Sequence, residues 1–524
     1  MSQRSSALEE YRRLVAELPT GMAGSVELVA RQLSPLAERL LRLGSIPHGV
    51  DRAVARVLLP GAAESDLEAA AEELQPLSFV IRSSEGSMLH DNVRAYLFGQ
   101  WLKAHDDDPD KWGEFKAVNR RLVRHYEKVS EDAIGETRAV AERQRIFHLT
   151  GASRAEGFAA FEKGCRAERY RFRLESCEAL IKLLREYETI LSAQQRSYLD
   201  YHAAKLDIDL HHYDKAERLL TEMLARRSVQ GDPALHARCL FRLGAVLRLK
   251  RDFQRARSHF EELRSFAAGM PEAAELELRA LQGLGALLIE MKEHEEAEER
   301  LAEAVMLAEG SGRHDEIATA WNALGILRRQ LGQPKRALIA FETALQHLAL
   351  GGEAFRPRQV YNNIGLLYAD RADWPAARDN LEKSCEIARE AGDMNGEATA
   401  LSNLGRVYLA LERPGDAMTA AERAILLFGN VHNWYGVAMT KRGMARYYRR
   451  EGRHGEARDL FSEAREVLLR AGADDRAAEI ESELVKLETA RQSWGWLRWL
   501  LITIGAVVGL VLLLVVFAIV IDEM

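Results

Sequence analysis

Several things are scarce in this sequence, and each absence excludes something. There are 12 prolines and four cysteines in 524 residues, while hydrophobic residues make up 47% and charged residues 29%. Ala, Leu, Glu and Arg dominate, a composition of long helices rather than of sheets or disordered segments. Cys165, Cys177, Cys239 and Cys385 lie far apart with no CxxC pair, so neither a zinc site nor a disulfide framework is indicated and we expect reduced helix residues. No HExxH, GxSxG or GxxxxGK[ST] stretch occurs, so metalloprotease, hydrolase and phosphate-loop chemistry have no residues to run on. We expect no catalysis, no cofactor and no metal. The formal net charge of -7 lacks the basic surplus of a general nucleic-acid binder. Only 14 of the 72 basic residues are Lys, which we read as GC-rich coding and hence a bacterial source. The start, MSQRSSALEEYRR, offers no apolar run for secretion, so the bulk is expected in the cytoplasm.

A chain this long exceeds one ordinary core, and an extended array resolves the problem. A period of 40 runs through its middle. Gly244, Gly285, Gly325, Gly365, Gly405 and Ala445, each after an apolar residue or close to one, are spaced 41, 40, 40, 40 and 40 residues apart. Twelve residues after each stands Ala256, Ala297, Ala337, Ala377, Ala417 and Ala457; sixteen after it Phe260, Leu301, Phe341, Leu381, Ala421 and Phe461. Small residues let paired antiparallel helices approach and large ones fill the adjacent hollows, so each period is one helix pair. In WNALGILRRQLGQPKRALIAFETALQHL from Trp321, the first helix should end near Leu331, with Gly332 in the turn and Pro334 opening the second helix. These residues resemble the tetratricopeptide repeat over about 190–470. The resemblance implies an all-α solenoid superhelix; the period exceeds the family's usual ~34 residues and implies longer helices or connections. Ala204, Ala216 and Leu220 continue the register upstream and Gly164 more weakly, which makes seven repeats and a degenerate eighth.

Two other segments break the period. Residues 500–521 are apolar apart from Thr503, and 22 helical residues rise about 33 Å, enough for a hydrocarbon core of about 30 Å. Trp494, Trp496, Arg498 and Trp499 would sit in the headgroup zone, and Arg491 and Arg498 before the run against Asp522 and Glu523 after it place the bulk on the cytoplasmic side. We therefore expect a single-pass tail anchor, in a bacterial inner membrane, with the bilayer as one partner. Gly505 and Gly509 offer a close-packing face for a homodimer. Near the other end, SDLEAAAEELQPL, a hairpin pairing Ser78 to Arg82 with Ser87 to His90, and a helix from Asp91 suggest a winged-helix unit. The LLRLGSIP entry and LHDNVRAYL exit resemble the winged-helix segment of signal-transduction ATPases with numerous domains. That family's phosphate-cradling loop is missing, and Asp66, Glu68, Glu72 and Glu73 would repel a DNA backbone, so no nucleic acid is expected.

The expected organisation is a helical segment at 1–33, a winged-helix-like module at 34–130, a degenerate repeat at 131–190, repeats at 191–472, a capping helix at 473–493 carrying Ile480, Leu484 and Leu487 on one face, and a membrane helix at 499–521. The site is expected on the inner surface of the superhelix. Asn322, Asn362, Asn363 and Asn403 fall two or three places before the anchors, where an amide can both donate to and accept from a peptide backbone. The competing role for them is to bond a neighbouring helix. Arg406, Arg442 and Arg446 add positive charge and favour an acidic or C-terminal peptide. The function this implies is a membrane-anchored adaptor for a protein or peptide partner; the alternative is a regulatory sensor acting with a separate ATPase or effector.

Overall fold

The computed structural model describes residues 21–83, 86–170, 173–210, 212–268, 273–351 and 357–522, with the side chains of 83, 170, 273, 475, 490–501 and 513–522 outside that description. The chain forms two compact units, one running to Leu206 and including Ala225–Asp232, the other made of Asp207–Leu224 and the residues from Pro233 onward.

The first unit begins with α1 (Met22–Ala30), α2 (Pro35–Leu43), α3 (Arg52–Leu58) and α4 (Glu64–Leu74), followed by β1 (Val80–Ser83) and β2 (Gly86–Leu89). The strands pair antiparallel with Val80 opposite Leu89, and Val50 bridges to Ser87 on the hairpin's other side. The hairpin thus starts two residues later than its sequence suggests, because the backbone at Phe79 accepts from His90 N–H and closes the ladder there. Four long helices follow, α5 (Asp91–Asp107), α6 (Pro109–Asp132), α7 (Gly135–Ala152) and α8 (Arg154–Tyr170), then α9 (Leu174–Arg185) and α10 (Ala193–Asp209). A partly buried ionic knot ties early and late segments of this unit together. Glu186 accepts from Arg94 at 2.7 Å and lies 2.9 Å from His48 Nε2, while Arg94 also donates to the Pro47 and Ile46 carbonyls.

The second unit is a succession of helix pairs. It opens with α11 (Tyr213–Leu224); α12 (Arg227–Gln230) belongs to the first unit, and the array resumes with α13 (Pro233–Leu249), α14 (Phe253–Ala267), α15 (Ala273–Met291) and α16 (His294–Ser311). It continues through α17 (His314–Gln330), α18 (Pro334–Leu350), α19 (Arg358–Asp370), α20 (Trp374–Glu390), α21 (Met394–Ala410), α22 (Pro414–Asn430), α23 (Trp434–Arg450) and α24 (His454–Arg470) to α25 (Asp474–Asp522). The origin of the long period is now visible. From Trp374 to Arg470 every helix has 17 residues and every connection three, so the surplus over about 34 residues sits in the helices. In each connection the middle residue, such as Gly392, Glu412, His432 or Gly452, adopts the left-handed conformation. The N–H of the third residue then returns to a carbonyl of the preceding helix, as Asp393 to Ala388 and Asn433 to Phe428 do at 2.8 and 2.9 Å, the helix stop that needs a left-handed residue. Asp373, Asp393 and Asn433 each cap the helix that follows through the side chain.

Packing follows the sequence register. The Cβ that Gly325 lacks would lie 2.5 Å from Phe341, and that of Gly365 2.6 Å from Leu381, so Gly244, Gly285, Gly325 and Gly365 are small because the large residue sixteen positions later rests on the backbone. Phe260, Phe341 and Phe461 are among the largest fully buried side chains. The last pair is covered by α25, whose Ile480, Leu484 and Leu487 pack with Ala445, Phe461 and Leu468. That helix continues without interruption from the cap into the apolar run. Among the described residues no helix is long and apolar enough to cross a membrane; within the run, Ile502, Ile504, Val507, Val508, Leu510, Val511 and Leu512 are exposed. The interfacial side chains of Trp494, Trp496, Arg498 and Trp499 lie outside the described residues.

Within this unit the two ends of the array meet. Arg251, in the connection after α13, reaches Glu479 of α25 at 3.5 Å, and Tyr213 at the head of α11 lies within electrostatic range of Arg476 and Tyr435. Burial, the largest influence, raises the Tyr213 phenol to about 12. Side chains from the first and last parts of this unit thus come within reach of one another.

Candidate binding groove

The predicted groove residues all lie on the first helices of successive pairs. Asn322 is on α17, Asn362 and Asn363 on α19, Asn403 and Arg406 on α21, and Arg442 and Arg446 on α23. The asparagines are brought together in pairs. Asn363 donates its amide to Asn322 Oδ1 and Asn403 to Asn362 Oδ1, both at 2.9 Å. A residue two places before one anchor thus reaches the residue three places before the previous anchor, making a ladder across consecutive first helices. Each of these amides keeps hydrogen-bonding capacity beyond the bond it makes, since an amide has two donors and two acceptor sites.

The arginines divide. Arg442 and Arg446 converge on Glu483 of α25, with contacts of 2.6 to 2.9 Å, and Arg442 lies 3.6 Å from Glu479. Burial works to raise the Glu483 carboxyl, but hydrogen bonds from Arg446 and Arg442 outweigh it and hold the group below its ordinary value of 4.5. Arg406 is different: it is exposed and has no ion pair among the described residues. α23 carries Lys441, Arg442, Arg446, Arg449 and Arg450 and no acidic residue. Lys441 pairs with Glu463. After these pairings Arg406, Arg449 and Arg450 are left without carboxylate partners among the described residues, a local positive surplus on a chain of negative net charge.

Several contributors lie outside the sequence-based set. Glu483 supplies the carboxylate that two arginines share; Ser402 and Thr440 bond at 3.0 Å, Asn433 donates to Asn395 at 2.6 Å, and Arg329 pairs with Asp370 at 3.4 Å. The spacing of 41 between Asn322 and Asn363, and again between Asn362 and Asn403, is the signal that could have found the ladder. Elsewhere, His212 lies 3.3 Å from Asp207 on an exposed turn, and its neighbour His211 is outside the described residues. All four cysteines are buried and none forms a disulfide. Among the described residues no group of His, Cys, Asp and Glu could hold a metal ion.

Comparison with known proteins bears on this middle region. A tetratricopeptide repeat family model matches residues 276–348 and 357–428. The chain is 28% identical over 102 residues to the Tonsoku-like protein of Drosophila melanogaster, a match covering 20% of this chain and 7% of that protein. Among solved structures, similarity is found to a Rap protein in complex with competence and sporulation factor, at 14% identity, 64% and 96% coverage of the two chains and a TM-score of 0.42. It is also found to a signal transduction ATPase with numerous domains carrying a tetratricopeptide repeat sensor, from Pyrococcus horikoshii, at 14% identity, 91% and 66% coverage and a TM-score of 0.42. The quorum sensor NprR of B. thuringiensis is similar at 14% identity, 72% and 96% coverage and a TM-score of 0.40. The segments 276–348 and 357–428 in the centre of the chain are thus tetratricopeptide repeats.

Proposed function

We propose that the chain is a membrane-tethered adaptor whose repeats hold an extended acidic segment of a protein or peptide partner on the cytosolic face of the bilayer. The observation that carries this reading is the charge imbalance along the inner helices, where Arg406, Arg449 and Arg450 lack carboxylate partners among the described residues. The asparagine ladder beside them offers amide capacity to a peptide backbone. The apolar run 500–521 serves as the anchor, supported by its length and by the exposure of its side chains at 502–512. Arg491, Trp494, Trp496, Arg498 and Trp499 would set its depth and direction.

Capture from solubilised native membranes tests this directly. The wild-type chain should retain a partner that a triple variant, Arg406→Glu with Arg449→Glu and Arg450→Glu, does not; equal recovery by both would sink the groove. Deletion of 500–521 should move the chain into the soluble fraction after alkaline extraction.

A second reading, a regulatory subunit acting on a separate effector, is favoured by the helix and hairpin module at the start of the first unit, where Val50 bridges to the β1–β2 ladder. It predicts that residues 34–130 contact a different partner from the one held by the repeats.

A further inference from the structure

A cavity of ≈ 390 Å³ opens in the module at the start of the first unit, away from the repeats. Its origin is traceable. The hairpin is fastened to the residues just ahead of α3, where Val50 and Ser87 exchange backbone hydrogen bonds of 2.8 and 3.0 Å. Gly86 permits that approach: its φ is 138°, and a Cβ there would lie 2.6 Å from the Val50 carbonyl oxygen and 3.0 Å from Asp51 Cα. The hairpin supplies part of the cavity wall, α2 another part, and α4 lines it along its length from Glu64 to Leu74.

The wall has an apolar part and an acidic part. Leu40, Leu41, Leu67 and Leu74 line it and are buried, and Val80 and Leu89 of the hairpin line it too. Met88 also lines it and is 41% exposed, an unbranched chain able to fold over a ligand. A module this small that held no guest here would forgo the packing that large aliphatic side chains could supply. Glu64, Glu68 and Glu72 follow one another at helical spacing on one face of α4, all exposed, and Asp51 is exposed on the same lining. Two of these four carboxylates are already neutralised. Arg52 reaches Glu68 at 2.6 Å and Arg56 reaches Glu64 at 2.6 Å. Asp51 caps α3 through the Val54 N–H, and neither it nor Glu72 pairs with a Lys or Arg among the described residues. A cation placed there keeps its contact with water and so escapes the desolvation cost of a buried charge, while hydrocarbon attached to it enters the apolar part.

We propose that this cavity binds a small amphiphilic cation, a primary amine or guanidine carrying a short aliphatic or aromatic body. The body lies against α4 and the hairpin, and the cationic group sits on the acidic rim that Glu72 and Asp51 leave open. The volume falls in the range of about 300–1,000 Å³ usual for small-molecule sites. The site is independent of the repeats, and a ligand that touches both α4 and the hairpin stabilises the module it occupies.

Titration calorimetry on the full chain in mild detergent tests this with three probes of one shape: 3-phenylpropylamine, its neutral counterpart 3-phenylpropanol and the anion 3-phenylpropanoate. The amine should bind the wild type, the alcohol about fivefold more weakly, and the anion not at all, since an exposed ion pair contributes up to about a factor of five. Ala71→Leu places a good helix former on the cavity wall and should weaken the amine about tenfold with unchanged helical circular dichroism. Uptake of probe by the micelle is the same for both proteins, so their difference reads the site. Asp51→Asn with Glu72→Gln keeps a competent helix cap and should erase the preference for amine over alcohol. Equal binding of amine and alcohol by the wild type overturns the cationic ligand. No binding at millimolar amine, or equal binding by wild type and Ala71→Leu, overturns the site.

Discussion

His148 makes the most exacting demand of any single side chain in the first unit. It is fully buried on α7, with Nδ1 2.8 Å from Asn119 Oδ1 and its ring stacked on Tyr126 at 5.4 Å. Asn119 gives its own amide to the Phe115 carbonyl, so Oδ1 accepts and the imidazole proton resides on Nδ1. Nε2 then has no partner. Burial first, then the nearby His48, Arg94 and His125, hold the His148 pKa well below its ordinary 6.5. The folded unit therefore binds fewer protons here than the unfolded chain. Its stability is complete above pH 6.5 and drains away as the pH falls below that value, because unfolding then takes up a proton. Near-UV circular dichroism melts between pH 7.5 and 5 should show the loss, and His148→Phe should flatten part of it; the remainder belongs to His125, His202 and His236, whose pKa values burial also lowers. An unchanged slope in the variant would remove His148 from the account. Little of this was legible beforehand. The sequence shows a histidine beside Phe147 on a helix, but its surroundings come from α6 and from segments about 30 to 100 residues away, and only the fold assembles them.

At the level of elements, the repeat period was readable because small and large residues are obliged to meet. Gly325 and Phe341, or Gly365 and Leu381, are in contact through backbone and side chain, and a contact required in successive pairs must recur at fixed spacing. Helix ends were readable for the same reason: Pro334 opens α18 and Gly332 supplies the left-handed turn before it. The role of the asparagines was not, since Asn362 and Asn403 lie on one face whether they serve a ligand or each other. Their mutual bond predicts a coupling. Asn362→Ala and Asn403→Ala should each destabilise, and the double variant should fall short of the sum by about 0.5–1.5 kcal/mol, the net worth of one such hydrogen bond. Urea midpoints of the four proteins measure it. Strict additivity would mean that the bond does not hold α19 and α21 together, leaving both amides to a ligand.

Over the whole repeat unit, the meeting of its ends is the property that a linear reading could not supply, as Arg251 and Glu479 are 228 residues apart. Glu479 lies within 3.5 to 3.7 Å of Arg251, Arg442 and Arg476. These are surface pairs, and one such pair contributes only about 0–1 kcal/mol. Glu479→Arg, however, replaces three attractions with three repulsions at one spot. Small-angle scattering of the full chain should report a larger radius of gyration for this variant, most clearly at low salt and less so as salt screens the cluster. A variant with Arg251→Glu added to Glu479→Arg should recover much of the compact form.

The Arg251–Glu479 contact joins residues 228 apart in sequence. If the repeats hold a partner as proposed, a bulky one would disturb that contact more than a slender one, so the arginine and glutamate there would govern how fast it enters and leaves more than how tightly it is held. Bulky clients and slender ones would then differ in kinetics even where they share the same docking sequence.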